Sequence, residues 1–226
     1  MMAAGSVIVI VPAAGAGTRF GGQIPKQFLP LAGKPLIQHV IERFLLDEIV
    51  ERVIVPVTPQ LLSGVKNSER VTFMAGGETR MQSVVRGLAE AGDAELVAVH
   101  DAVRPLFSAT MFHAVIEAAQ AAGAALPVVP LTDTIHVMSE DATIASTLDR
   151  TMLAAAQTPQ CFRGSLLRDV LARAEREGIE GTDEAGLAAG FGYTVRAVPG
   201  DPRNLKITVP EDLAVAESYL QQWGAS

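Results

Sequence analysis

The sequence has almost none of the features that mark a disulfide-rich, secreted or membrane protein. Cys161 is its only cysteine, so the chain can form neither an internal disulfide nor a metal site built from several thiolates. The N-terminal residues lack the basic region of a signal peptide, and the apolar runs are far shorter than the ~20 residues that a membrane-spanning helix needs. These absences fit a reducing compartment, and we expect the protein in the cytoplasm.

Positive charge is also scarce. Lys and Arg number 18 against 25 Asp and Glu, which gives a net charge of −7. A protein that holds a nucleic-acid backbone nonspecifically needs the opposite sign, so the composition disfavours nucleic acid and anionic membranes as partners. It does not disfavour a small phosphate-bearing ligand, because a few clustered basic side chains can bind one at any net charge.

What the sequence does hold is a large apolar fraction, 49% of 226 residues, which is enough for one α/β domain with a sizeable core. Short runs rich in valine and isoleucine alternate with helical patterns, which is typical of βαβ units. We therefore predict an α/β, Rossmann-like, mostly parallel sheet with helices on both faces. The predicted strands are 7–11, 52–57, 71–74, 96–100 and 124–129, and the predicted helices are 36–46, 78–91, 109–122 and 210–222.

One stretch, 132–150, breaks this alternation. Two β-branched runs, 132–138 and 143–148, flank four turn-forming residues, and both are too polar for central strands, so we predict a protruding β-hairpin arm. Its apolar side chains Ile135, Val137 and Ile144 need another surface to cover them, and a second copy of the chain is the usual cover. The arm therefore predicts a homodimer.

A loop of small residues, 12–22, directly follows the first predicted strand. Backbone N–H groups in such a loop can cradle phosphates, although a tight βα turn of any doubly wound fold would look the same. The dinucleotide fingerprint fails because Phe20 stands where its third glycine would be, and the Gly-Lys-Ser/Thr ending of a P-loop is absent. Two cations, Arg19 and Lys26, stand in and beside the loop, which suits phosphoryl or nucleotidyl transfer.

These residues carry a resemblance to a known family. Pro-Ala-Ala-Gly-x-Gly-x-Arg at 12–19, followed by Pro-Lys-Gln at 25–27, resembles the signature loop of the sugar nucleotidyltransferases. Blocks at 76–84, 100–105, 158–160, 182–185 and 204–208 are similar, in the same order, to those of the 2-C-methyl-D-erythritol 4-phosphate cytidylyltransferases. The resemblance implies one nucleotidyltransferase domain over 1–226, with 132–150 as a dimerisation arm and no second enzyme domain.

The resemblance also implies an activity and its residues. CMP would pass from CTP to 2-C-methyl-D-erythritol 4-phosphate, releasing pyrophosphate and giving 4-diphosphocytidyl-2-C-methyl-D-erythritol in non-mevalonate isoprenoid biosynthesis, with Mg²⁺ as cofactor. Asp101 would hold the metal, and Thr134 and Arg150 would come from the partner subunit. The implied catalytic residues are Arg19, Lys26 and Lys206; the nucleotide-binding residues are Pro12, Ala13, Ala14, Gly15, Gly17, Gly77, Glu78, Ser83 and Ala102; the acceptor-binding residues are Arg104, Asp133, Thr134, Arg150, Thr158 and Thr182.

The residues alone leave several alternatives open. Asp101 could cap a turn, Arg80 could be a surface cation of its helix, and the acids that follow Thr182 read first as the start of a helix. Lys206 is placed in a predicted apolar strand, 205–207. The acceptor could also be another polyol phosphate such as ribitol 5-phosphate, and a non-catalytic nucleotide-binding protein on the same fold is the alternative from a different class.

Overall fold

The computed structural model describes residues 6–15 and 25–224. Two short strands form a small hairpin, two more form the arm, and eight make one central sheet. The strands are β1 Val7–Ile10, β2 Pro30–Leu31, β3 Lys34–Pro35, β4 Val50–Val57, β5 Val71–Ala75, β6 Leu96–Val99, β7 Ala124–Pro130, β8 Ile135–Met138, β9 Ile144–Leu148, β10 Ala154–Ala156, β11 Gln160–Arg163 and β12 Arg196–Pro199. The helices are α1 Leu36–Leu45, α2 Arg80–Glu90, α3 Ala109–Ala122, α4 Gly164–Glu177, α5 Glu184–Gly190 and α6 Pro210–Gly224.

The central sheet runs in the order β10-β7-β11-β6-β1-β4-β5, with β12 also paired to β7. The half made of β6, β1, β4 and β5 is parallel throughout, whereas β11 is antiparallel to both of its neighbours. The predicted α/β, mostly parallel fold is confirmed. Strand β11, which lies antiparallel between β6 and β7, and helix α4 were not predicted.

Both faces of the sheet are buried, as β1 shows. Val7 and Val9 belong to the apolar cluster that α1 and α3 cover, and Ile8 and Ile10 to the cluster under α2, α4 and α5. Alternate residues of a strand point to opposite faces, so an unbroken Val/Ile run is stable only where both faces are covered. Burial of each such side chain stabilises the folded protein by about 1.5–3 kcal/mol. The sequence predicted these strands because their apolar runs are unbroken.

Three helices begin at side chains that accept a hydrogen bond from the first turn. Ser108 caps α3 through the backbone N–H of Met111, and Thr79 caps α2 through Gln82. Asp183, not Thr182, caps α5. Such caps stabilise a helix by about 1 kcal/mol. The Thr79 cap places the start of α2 at Arg80, slightly later than the sequence pattern predicts.

The arm is a hairpin, as predicted, with shorter strands. In the part of the chain that the structure describes, β8 pairs only with β9, and the pair stands apart from the central sheet. Val137, Met138 and Ile144 are 41%, 55% and 59% exposed. Within residues 6–15 and 25–224, no helix is long and apolar enough to span a membrane.

Cys161 gives a direct test of the packing. It lies on β11 and is 1% exposed, and burial raises the pKa of its thiol far above the ordinary value. Because the thiolate is the nucleophile, we expect no reaction with Ellman's reagent in the native protein and release of one equivalent after unfolding in guanidinium. Rapid reaction of the native protein would contradict the placement of β11.

Candidate active site

The crevice of the fold lies where the chain reverses its direction across the sheet. From β1 the chain builds β4 and β5 on one side and later returns to place β6 on the other. Loops that leave the carboxyl ends of β1 and β6 therefore diverge, and open α/β sheets bind their ligands at such a point. A cavity of about 330 Å³ opens here, large enough for part of a nucleotide. It is lined by Pro12, Ala13, Ala14, Gly15, Lys26, Gln27, Gly77, Glu78, Thr79, Arg80, Ser83, Asp101, Ala102, Val103 and Lys206.

A buried glutamine holds the loop after β1 against the turn that carries Lys26. The side-chain amide of Gln27 donates to the backbone oxygens of Ala13, at 2.6 Å, and Gly15, at 3.0 Å. Gln27 is 3% exposed, so these bonds face little competition from water. Lys26, directly before it in a 3₁₀ turn, is thereby fixed at the edge of the cavity.

The opposite wall comes from the glycines before α2. A Cβ on Gly76 would lie 2.5 Å from the Cβ of Ala14, so only glycine lets the two loops approach this closely. The backbone N–H of Gly77 donates to the hydroxyl of Ser83, at 3.0 Å. Two blocks that are distant in the sequence therefore form one surface.

Asp101, just beyond the end of β6, is the electrostatic centre of the cavity. Its Oδ2 lies 2.9 Å from the Lys206 ammonium and 3.4 Å from Arg104 Nε, and its Oδ1 lies 3.5 Å from Arg80 Nε. Burial alone would raise the pKa of this carboxyl, but Arg80, Lys206 and Arg104 together hold it well below its usual range. Asp101 is therefore an anion at any physiological pH.

The residues behind Asp101 fix its backbone. The hydroxyl of Thr158 accepts a hydrogen bond from the Asp101 N–H at 3.0 Å and lies 3.1 Å from His100 Nδ1. His100 is fully buried, and burial lowers its pKa to about 4, so it is neutral. This placement agrees with the sequence-based interpretation of His100 as a packed, hydrogen-bonded residue.

Lys206 reaches the cavity from an extended loop. The predicted strand 205–207 is wrong, because these residues join no sheet. Two hydrogen bonds hold the segment instead. The side-chain amide of Asn204 donates to the backbone oxygen of Thr158 at 2.8 Å, and the backbone N–H of Ile207 donates to the backbone oxygen of Val103 at 2.9 Å. Bonds to other loops replace the strand ladder that the apolar pattern suggested.

Most of the residues predicted for the nucleotide and the metal line one cavity. They are Pro12, Ala13, Ala14, Gly15, Lys26, Gly77, Glu78, Ser83, Asp101, Ala102 and Lys206. Gly17 and Arg19, also predicted, lie outside the described residues. The roles assigned to all of these residues stay predictions.

The residues predicted for the acceptor are not brought into that cavity by one chain. Arg104 and Thr158 lie behind Asp101, and Thr182 is exposed ahead of α5. Arg150 donates to the Thr132 backbone oxygen and borders a separate cavity of about 600 Å³. Asp133, Thr134 and Arg150, the acceptor residues predicted on the arm and at its base, are exposed. Their predicted place in a shared site stays a prediction.

Sequence reasoning missed three residues at the site. Gln27 belongs to the Pro-Lys-Gln motif but was assigned no role. Arg80 could not be distinguished from a surface cation of its helix. Glu184 was assigned only to the start of α5, yet its side chain is 1% exposed and accepts from Arg80 Nη1 at 2.7 Å. Burial raises the pKa of Glu184 against the opposing effect of Arg80. No local pattern could join residues 80 and 184.

The described residues of the cavity fit one common mode of metal binding. Among the described residues there is no group of three or more His, Cys, Asp or Glu side chains that could hold a metal ion. Mg²⁺, however, is commonly bound by one or two carboxylates together with phosphate oxygens of a substrate. An ionised Asp101 that lines a cavity with room for part of a nucleotide fits that mode.

The switch-point crevice, the loop of small residues after β1 and the cations around Asp101 define a nucleotidyltransferase. The family model described as 2-C-methyl-D-erythritol 4-phosphate cytidylyltransferase (IspD) matches residues 7–222. The chain belongs to this family and is a cytidylyltransferase, so the resemblance seen in the motifs is confirmed. Enzymes of the nucleotidyltransferase class generally use a divalent cation.

Individual relatives agree over nearly the whole chain. The 2-C-methyl-D-erythritol 4-phosphate cytidylyltransferase of Acidobacterium capsulatum is 42% identical, with 96% of this chain and 98% of that protein covered. The crystal structure of the enzyme of the same name from Thermus thermophilus is 37% identical with a TM-score of 0.81, covering 96% of this chain and 99% of that one. The Francisella tularensis structure, at 28% identity, has a TM-score of 0.83 and covers 94% and 99%.

Proposed function

We propose that this chain transfers CMP from CTP to 2-C-methyl-D-erythritol 4-phosphate, releasing pyrophosphate, in the non-mevalonate isoprenoid pathway. The observation that carries the proposal is the cavity at the β1–β6 switch point, which Lys26 lines and in which Lys206 pairs with an ionised Asp101. In-line transfer at phosphorus depends on positioning and electrostatic stabilisation. A crevice with room for part of a nucleotide, with cations and an anion at one edge, suits this reaction.

The chemistry needs no covalent intermediate with the protein. A phosphate oxygen of the acceptor attacks the α-phosphorus of CTP, a new P–O bond forms, and the bond from that phosphorus to the bridging oxygen of the β-phosphate breaks. Lys26, Lys206 and Arg19 would stabilise the negative charge that spreads over the oxygens of the transition state. The acceptor phosphate is already largely ionised near neutral pH, so neutral His100 need not take up a proton.

We further propose that Mg²⁺ is the divalent cation and that Asp101 is its protein ligand. Bound there together with the triphosphate, the ion would neutralise charge on the phosphates and on the departing pyrophosphate. Ala13, Ala14, Gly15, Gly77 and Ser83 form the wall on which we place the nucleoside.

The acceptor site is proposed to be shared between two copies of a single nucleotidyltransferase domain. The exposed apolar side chains of the arm, 132–150, need cover, and a partner subunit that provides it would bring Thr134 and Arg150 toward the cavity around Asp101. The planar guanidinium of Arg150 suits bidentate binding of a phosphate. A cytoplasmic location fits the single reduced cysteine.

Pyrophosphate release tests the proposed substrates directly. With CTP and Mg²⁺, we expect release with 2-C-methyl-D-erythritol 4-phosphate at a kcat/KM at least about tenfold above that with ribitol 5-phosphate, because acceptor contacts that differ by one hydrogen bond discriminate by this much or more. No release is expected without an acceptor. A Lys26→Ala protein purified in the same way measures contaminating activity. Equal or reversed preference between the two acceptors would overturn the proposed substrate.

A further inference from the structure

Glu184 is a buried charge whose position the fold does not explain. It lies at the first turn of α5 and is 1% exposed, with Oε1 accepting from Arg80 Nη1 at 2.7 Å. Its Oε2 has no hydrogen-bond partner among the residues that the structure describes. An incompletely bonded buried carboxylate opposes folding, so an apolar residue would pack here at lower cost. What Glu184 contributes at this position, and an apolar residue would not, is the ion pair with Arg80.

Arg80 extends that pair into the active site. Its Nε lies 3.5 Å from Asp101 Oδ1, close enough for a strong Coulomb interaction although no hydrogen bond forms. The other oxygen, Oδ2, is shared by Lys206 at 2.9 Å and Arg104 at 3.4 Å. Oδ1 is therefore the less firmly held oxygen of Asp101 and the one open to a metal ion.

A cation bound at Oδ1 would meet the positive charge of Arg80. Asp101 is 8% exposed and the Arg80 side chain 31%, so water screens the two charges only in part. Glu184, hydrogen-bonded to the far side of the guanidinium, offsets this charge and holds Arg80 back from Asp101. The three residues form a chain of alternating charge that ends at the proposed metal ligand.

We propose that Arg80 is a positioning residue that competes with the divalent cation for Asp101, and that Glu184 limits this competition by holding Arg80 and offsetting its charge. The inference rests on the proposed function insofar as Asp101 is the metal ligand. Arg80 then stabilises Asp101 while the site is empty of metal, and Glu184 keeps the carboxylate accessible when the metal and nucleotide arrive together.

The test measures how strongly metal and nucleotide binding are coupled. Isothermal titration calorimetry gives the Kd of α,β-methylene CTP, which cannot be cleaved at the α,β bridge, in EDTA and in saturating Mg²⁺. The ratio of the first Kd to the second is the metal coupling. A direct effect of a variant on nucleotide binding that is the same with and without metal enters both constants and cancels, so the ratio reports the coupling to the metal.

Two substitutions are expected to change this ratio in opposite directions. Arg80→Met removes the competing charge and should raise the coupling about tenfold, a typical size for coupling between neighbouring sites. Glu184→Gln leaves the charge of Arg80 without its counterion and should lower the coupling by about threefold or more. A merely structural role would lower the coupling in both variants, or change it in neither.

The double variant keeps the test valid if Arg80→Met alone fails to fold around an unpaired Glu184. Arg80→Met/Glu184→Gln places two neutral side chains at the site and should have the raised coupling of Arg80→Met, because Glu184 acts through Arg80. A double variant with wild-type or lower coupling would overturn the inference. A wild-type ratio of one would instead refute Asp101 as the metal ligand, which separates failure of the proposed function from failure of this inference.

A matched control is available at the other end of α2. Arg52 and Glu90 also form an Arg–Glu pair, at 3.2 Å, away from the cavity. Arg52→Met and Glu90→Gln change the net charge as the test variants do and should leave the coupling within about twofold of wild type. Helix α2 separates Glu90 from Arg80 by about 15 Å, and charges beyond about one Debye length are screened.

Discussion

Replacing Lys26 with alanine is expected to lower kcat by about a hundredfold to a thousandfold while the protein stays folded, the loss typical of removing one group that stabilises transition-state charge. Lys26 lines the cavity from a turn that Gln27 fixes to the loop after β1, so its ammonium is held where the phosphates are proposed to bind. Steady-state pyrophosphate release with CTP and the methylerythritol phosphate measures kcat, and Arg19→Ala is expected to behave similarly.

Lys34→Ala is the matched control for Lys26→Ala. Lys34 is also a lysine near the start of the chain, but its ammonium pairs with Glu42 at 2.8 Å and half of its side chain is exposed. Surface pairs of this kind contribute little, so activity and thermal stability should both stay near the wild-type values. Near-normal turnover in Lys26→Ala, with an unchanged melting temperature in both proteins, would refute the role of Lys26 in the transition state.

The parallel half of the sheet could be predicted because its signal is local. Strands such as β1 and β6 are unbroken runs of Val, Leu, Ile and Ala, because the sheet is covered on both faces and every side chain is buried. Such runs stand out in the sequence. β11 carries no such signal. It is four residues long and begins with Gln160, which is buried only because its side chain bonds to Asp183 and to the backbone of Ala185. Those contacts are tertiary, so the pattern does not reveal the strand.

The candidate site also has parts that the sequence could predict and parts that it could not. The small-residue loop and Asp101 were predicted because each follows a recognisable strand, and the carboxyl ends of parallel strands meet at one edge. The Arg80–Glu184 pair joins residues 104 positions apart, and Glu184 reads locally as a helix-starting acid. Lys206 was found through its motif, although the apolar neighbours suggested a strand where the structure has a loop held by Asn204.

Mixing two inactive proteins should restore activity if the acceptor site is shared between subunits. Lys26→Ala lacks a transition-state cation and Arg150→Ala lacks the proposed phosphate ligand, so each homodimer should be inactive. In a hybrid dimer one of the two sites takes Lys26 from one chain and Arg150 from the other, and it is intact. Random subunit exchange in an equimolar mixture gives hybrids in about half of the dimers, so activity should recover to about a quarter of wild type.

The control for this experiment pairs two residues of the same cavity. Lys26 and Lys206 line one crevice within a single chain. A mixture of Lys26→Ala with Lys206→Ala therefore leaves every site with one defect and should show no recovery, whatever the extent of exchange. Exchange itself can be followed by native mass spectrometry of differently tagged chains. If hybrids of Lys26→Ala and Arg150→Ala form and stay inactive, Arg150 serves its own subunit, and the exposed arm has some role other than completing the neighbouring site.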